Sequence, residues 1–317
     1  MRGETAKRHL TATRTQSNFR GNIVHALKRS AVSKPAWFFA AVWFTSVMVL
    51  IAGGHGIPVG GIVVGSVLLL LSLFVTGVTE PARAVRAVAG PARRRVWVQL
   101  GLVAVFIALT AWNGLAFHKV IDGNADIPLW TPLVEWLQRL GERWFGEGLG
   151  TFLVNPVTYV LIPLVVLLLA SARLPALGFV KGHRVGRALL ICCALPVIWL
   201  AFTLIIGQQT IVRLLGGFIS DFMQNGFLEE FLFRGLLQTR LRLLAGAGWA
   251  LVLQALMFGV WHLGSGFANT GHAGLLPAIA ITIVQQGLLG LSFGILFERT
   301  RSLLVPSVVH IAVNSMG

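Results

Sequence analysis

The chain has 317 residues, of which 56% are hydrophobic and 12% charged, with a mean hydropathy of +0.79; soluble domains carry about a quarter of their residues charged, so a soluble globular protein is excluded. Its 26 Lys and Arg against 11 Asp and Glu leave a formal charge of +15, a surplus that in a membrane chain signals orientation and attraction to anionic lipid headgroups, not nucleic-acid binding. The two cysteines, Cys192 and Cys193, are adjacent in an apolar run, which rules out a disulfide framework.

Residues 1–34 are polar and basic, with Arg2, Lys7, Arg8, Arg14, Arg20, Lys28, Arg29 and Lys34, and lack the apolar core of a signal peptide. They are expected to form a flexible cytoplasmic arm. Residues 35–187 are expected to hold accessory transmembrane helices, in the apolar runs 36–52, 57–78, 96–117 and 151–172. Residues 188–317 continue with runs 188–206, 249–263 and 275–297, plus two weaker candidates, 226–244, which carries charges, and 302–317. Spanning helices need about 20 apolar residues, so the predicted fold is all-α, a polytopic transmembrane helical bundle of about eight or nine spans.

Loops fix the orientation, because Lys and Arg accumulate on the cytoplasmic side. Arg83, Arg86, Arg93, Arg94 and Arg95 follow the second run; Lys181, Arg184 and Arg187 follow the fourth; Arg240 and Arg242 follow the sixth; Arg299 and Arg301 follow the eighth. With nine spans all fall on the side of the basic arm. The opposite side receives Asp122, Asp126, Glu135, Glu142 and Glu147 with only Lys119, Arg139 and Arg143. A multi-pass cell-membrane protein with its N-terminus in the cytoplasm and its C-terminus outside is the expectation.

The long non-cytoplasmic loop 118–150 contains a predicted amphipathic helix. Thr131 is its expected N-cap and Pro132 its first turn, with Leu133, Trp136, Leu137, Leu140 and Trp144 on one face and Glu135 paired with Arg139 on the other. It lies either on the membrane interface or over a site as a lid.

Two carboxylates stand where charge is expensive. Glu229 and Glu230 sit in an apolar helical stretch, 226–244, and an ionisable residue at mid-bilayer costs about 2.5–3.5 kcal/mol on insertion scales. Arg234 lies four residues after Glu230, the favourable order for an intrahelical pair. Glu229, rotated about 100° around the helix, is left to face something else. Only two of the eight histidines lie inside runs: His262, four residues after Phe258, and His310, four before Asn314. A bundle that gathers Glu229, Glu230, Arg234, His262, His310 and Asn314 hides the charge and builds a polar cavity.

The ordered triple of E-E-x-x-x-R (Glu229, Glu230, Arg234), F-x-x-x-H (Phe258, His262) and H-x-x-x-N (His310, Asn314) resembles the CPBP family of intramembrane proteases, related to the type II CAAX prenyl endopeptidase and to bacteriocin-processing and immunity proteins. The segment 290–306, which leads into His310, is also similar to the family's run into its last motif. The resemblance covers roughly 190–317 and implies an intramembrane endopeptidase acting on a membrane-associated protein or peptide. It implies that Glu229 and His262 activate a water and that His310 and Asn314 stabilise the oxyanion. Glu230, Arg234 and Phe258 would then support the site. Peptide hydrolysis asks independently for a general base and for donors aimed at the tetrahedral oxygen. No cofactor is implied, and a CAAX substrate is not assigned.

Rival readings attach to the same residues. Glu229, His262 and His310 form a two-histidine, one-carboxylate set that suits zinc, although no H-E-x-x-H pair is present. Gly290-Leu-Ser292-Phe-Gly294 matches G-x-S-x-G, but a nucleophile elbow needs a strand before the serine, and here the two glycines read as a helix-packing face. Gly264-Ser265-Gly266 falls in an expected loop, 264–274, with no assignable partner. A non-catalytic scaffold or immunity protein, and a proton-coupled transporter, are the alternatives from other classes.

Overall fold

The computed structural model describes residues 33–79, 91–121 and 126–316, and among these every regular element is helical. Most of the basic arm, and Arg83, Arg86 and Asp122, lie outside the described residues. The helices are α1 (Lys34–Ala52), α2 (Val59–Val78), α3 (Pro91–Phe117), α4 (Trp130–Phe145), α5 (Thr151–Leu169), α6 (Val185–Ile205), α7 (Ile211–Gln224), α8 (226–245), α9 (Ala247–Trp261), α10 (Leu263–Asn269), α11 (Leu275–Thr300) and α12 (Leu304–Asn314).

Six of these, α1, α2, α3, α5, α6 and α11, are long and apolar enough to cross a membrane, and the pair α9–α10, bent by 54°, makes a seventh if counted as one span. The count falls short of nine for physical reasons. α8 is helical over its expected length but carries Glu229, Glu230, Arg234, Arg240 and Arg242, and α12 has only 11 residues. Both are held by the bundle more than by lipid.

α11 is the central post. Of its most apolar window 72% is buried inside the protein, against 17–28% for the other five single spans. α2 packs on one side, where Gly65 meets Leu288 and Gly61 meets Gln285. On the other side Gly290 and Gly294 let α9 approach: a Cβ at Gly290 would stand 3.2 Å from the Ala255 Cα. The glycine pair is thus a packing face, as expected. Ser292 between them is buried and donates to the Leu288 carbonyl at 3.0 Å within its own helix, which leaves no room for a nucleophile.

Two helices differ from the sequence expectation. α7 is absent from it, which places no element between the runs 188–206 and 226–244, and Gly216 and Gly217 sit in the middle of the helix. Thr210 nonetheless caps it, its hydroxyl accepting from the Arg213 N–H at 3.2 Å. α10 replaces the expected loop after Gly264. Its break from α9 falls at His262, and Gly264 rests on the Gly114 carbonyl of α3 at a spacing a side chain would fill.

α4 forms where expected but opens at Trp130, and Thr131 accepts from the Ile127 N–H instead of capping the helix. Its buried face is Trp130, Leu137 and Gly141, while Trp136 and Trp144 are 53% and 63% exposed. Two contacts set this rotation: Trp130 Nε1 donates to Asn113 Oδ1 at 2.9 Å, and Gly141 abuts the backbone of Gly150. The Glu135–Arg139 pair is present at 3.5 Å on the exposed side.

The bundle has a basic end. There Arg299 donates to Thr79 Oγ1 and the Thr76 carbonyl, Arg187 donates to the Val78 carbonyl, Arg240 donates to the Ala176 carbonyl, and Glu298 pairs with Arg242 and Arg301. Arg93, Arg94 and Arg95 start α3.

Candidate functional site

α8 begins at Gly226, where a Cβ would run into Ile311 of α12. The missing side chain lets the first turn of α8 lie against α12, and that approach brings Glu230 to His310. Glu230 is fully buried. Its Oε1 is 3.0 Å from Arg234 Nη1 and 2.9 Å from His310 Nδ1. The i,i+4 pair foreseen in the sequence is therefore a triad with a second cation-capable partner from a distant helix.

Arg234 is held from several sides, as a buried guanidinium needs. Its Nη2 donates to the Gly290 carbonyl at 3.0 Å, and its Cζ lies 4.5 Å from the centre of the Phe258 ring and 5.3 Å from that of Phe293, within cation–π range. Phe293 in turn stacks on the His310 ring at 4.7 Å and 19°. Gln254 adds a second donor to the Gly290 carbonyl at 2.9 Å, and Gln238 bonds the Gly294 carbonyl at 3.0 Å. The residues from Phe231 to Gln238 form a π-helical segment, a wider turn of the kind found at functional sites.

Glu229 faces the other way. It is 4% exposed, its Oε2 has no hydrogen-bond partner, and that oxygen stands 3.7 Å from His262 Nε2. His262 sits at the break between α9 and α10, its Nδ1 2.8 Å from the Phe258 carbonyl. A carbonyl oxygen can only accept, so Nδ1 carries a proton, and in the neutral ring Nε2 is an acceptor. A carboxylate oxygen and an imidazole nitrogen, both acceptors, thus converge. Such a pair either shares a proton or accepts jointly from one water molecule.

Glu229 and His262 line a cavity of about 520 Å³, walled by the ends of α3, α5 and α9 and by α4. Sequence reasoning missed several of its polar groups. Tyr159, the chain's single tyrosine, lines it from a π-helical turn at Pro156–Leu161 and meets the Trp261 ring edge-on at 5.5 Å. Asn155 and Thr151 both bond Gln224, and the Ser265 hydroxyl donates to the His262 carbonyl at 2.7 Å. A lone tyrosine in an apolar helix was the one available signal.

The sequence-derived set does not gather at one point. Glu229 and His262 share the cavity, whereas Glu230, Arg234 and His310 form the buried triad behind it, with Phe258 touching both groups through Arg234 and His262. Asn314 is exposed and donates to Asp221 Oδ1 at 2.9 Å, an oxygen that Asn225 also bonds at 2.8 Å. These three line a second pocket of about 320 Å³, and Asn225 belongs to the walls of both pockets. The zinc set of Glu229, His262 and His310 is also divided: among the described residues no group of three or more His, Cys, Asp or Glu could hold a metal ion. His310 is turned to Glu230 instead.

Residues 211–316, from the start of α7 through α12, match the family model described as Type II CAAX prenyl endopeptidase Rce1-like. This agrees with the CPBP resemblance of the three motifs, all of which lie in the matched segment, and the family is one of proteases. No curated protein and no solved structure matches the chain.

Proposed function

We propose that the protein is an intramembrane endopeptidase in which Glu229 and His262 activate a water for attack on a peptide bond of a membrane-associated protein or peptide. One observation carries this reading: two acceptors, Glu229 Oε2 and His262 Nε2, stand 3.7 Å apart on the wall of a cavity large enough for a peptide segment. A water held by both gives up a proton to the pair as its oxygen attacks the carbonyl carbon. The proton then passes to the leaving amine.

The developing oxyanion needs donors. His310 donates to Glu230 through Nδ1; for Nε2 to donate as well, the ring must hold both protons, and the Glu230 carboxylate stabilises that form. Asn314 spends one amide hydrogen on Asp221 and keeps the second. Glu230 and Arg234 act through His310 as positioning residues, and residues 188–317, of which 211–316 match the family model, form the catalytic unit.

A second reading, a non-catalytic scaffold, is favoured by one observation: Asn314 lines the pocket at Asp221, not the cavity at Glu229. Glu229→Gln and His262→Ala decide between them. The protease reading expects each to abolish cleavage of a membrane substrate while the purified protein keeps its thermal melt; full retention of the cellular effect of the chain in Glu229→Gln supports the scaffold.

A further inference from the structure

The site lies at the end of the bundle away from the basic residues. α3, α8 and α9 each reach the cavity with one end and the basic end with the other. In α8, Glu229 and Arg242 are separated by 13 residues, about 20 Å of helix. In α3, Arg95 stands at the opposite end from Thr110 and Asn113, which line the cavity. Because Lys and Arg mark the cytoplasmic face, the cavity faces the other side of the membrane.

Two amphipathic helices at that end give an independent indication. α4 lends Thr131, Val134, Glu135 and Gln138 to the cavity wall while Trp136 and Trp144 point outward. α7, tied to α5 through Gln224, exposes Ile211, Val212, Leu215, Ile219 and Phe222. Helices of this kind, and exposed tryptophans, lie at the membrane–water boundary, which sets the cavity mouth at interface depth. The charged groups of the wall are all acidic, in a chain of net charge +15: Asp126 and Glu229, and at its rim Glu135, which Arg139 partly offsets from outside the lining. Glu229 is the buried, unpartnered one, aimed into the cavity.

We infer that the segment to be cut reaches Glu229 and His262 from the non-cytoplasmic face, as a juxtamembrane stretch carrying Lys or Arg and not as a cytoplasmic chain end with a free carboxylate. This rests on the endopeptidase reading for the cut, but its geometry is testable without it. In the full chain with Cys192→Ala and Cys193→Ala, single cysteines are placed at Ser265→Cys and Gln138→Cys in the cavity wall and at Lys181→Cys at the basic end. Intact cells are then treated with a membrane-impermeant maleimide. Ser265→Cys and Gln138→Cys are expected to label in intact cells, and Lys181→Cys only after permeabilisation; the reverse pattern overturns the sidedness. Two cavity positions guard against one that fails to fold. A synthetic peptide with four lysines is expected to slow labelling of the cavity cysteines several-fold more than the same peptide with four glutamates. Equal slowing, none, or stronger slowing by the glutamate peptide overturns the substrate class. Neither readout needs hydrolysis, so a chain without protease activity fails the earlier test and leaves these two to be judged separately.

Discussion

α11 and α3 are each 26 residues of spanning helix whose most apolar windows have mean hydropathies of 1.8 and 1.9, yet 72% of the first window is buried in protein and 22% of the second. Hydropathy alone does not distinguish them. What does is the company each keeps: α11 lays side chains on glycines of α2 and presents its own glycines to α9 and a backbone carbonyl to Gln254 and the guanidinium of Arg234, whereas α3 turns Trp97, Val98 and Val105 outward. The buried Glu230–Arg234 pair lies next to the surrounded helix, where the guanidinium finds a backbone carbonyl and aromatic faces that lipid could not supply. The peripheral helices shield that interior from lipid.

The contrast can be broken most severely at Arg234. Arg234→Met leaves Glu230 buried with His310 as its one remaining partner, and loss of one member of a buried pair costs about 3–5 kcal/mol. The expected result is a lower yield of folded protein and a large drop in melting temperature in detergent. A melt like that of the unsubstituted chain would show that the triad does not hold the core.

Glycine substitutions sharpen the same contrast. At Gly235 in α8 a Cβ would stand 2.6 Å from the Leu177 carbonyl, so Gly235→Ala should destabilise by about 1–3 kcal/mol through overpacking. At Gly101 in α3 nothing lies within 4 Å. There the helix propensity of alanine acts alone, and Gly101→Ala should be neutral or stabilising by up to about 1 kcal/mol. Thermal melts of the two variants side by side check the difference, and equal effects would contradict the account. The smallest effect is expected at Glu135→Gln. Its partner Arg139 is exposed, with side chains 60% and 67% accessible, and such surface pairs contribute about 0–1 kcal/mol. A detectable shift in the melt would mean that α4 is held more by this pair than by Trp130 and Gly141.

Much of this architecture was legible in the sequence because it is local. Apolar runs gave six spanning helices to within a few residues at each end, and the four-residue spacing of Glu230 and Arg234 predicted their pairing. That Glu229 turns away from Glu230 also followed from helical rotation, whereas its pairing with His262 came only from the family resemblance. What was not legible depends on distant partners. His310 meets Glu230 across 80 residues, and Asn314 meets Asp221 across 93; no local pattern marks either. Asp221 escaped notice because it reads as a loop acid, and Tyr159 because it looks like one more aromatic in an apolar run. α7 was missed because it is too short and too broken by Gly216 and Gly217 to read as a span.

On the proposed reading Glu229, on the cavity side of a buried ionic core, helps to activate the water that cuts a peptide bond. The most direct test of that reading compares the peptide termini of the membrane proteome in cells carrying the native chain with those in cells carrying Glu229→Gln at equal abundance. The account predicts termini present only with the native chain, generated next to the membrane. Identical termini in the two samples, with the Glu229→Gln chain folded and inserted, would contradict it.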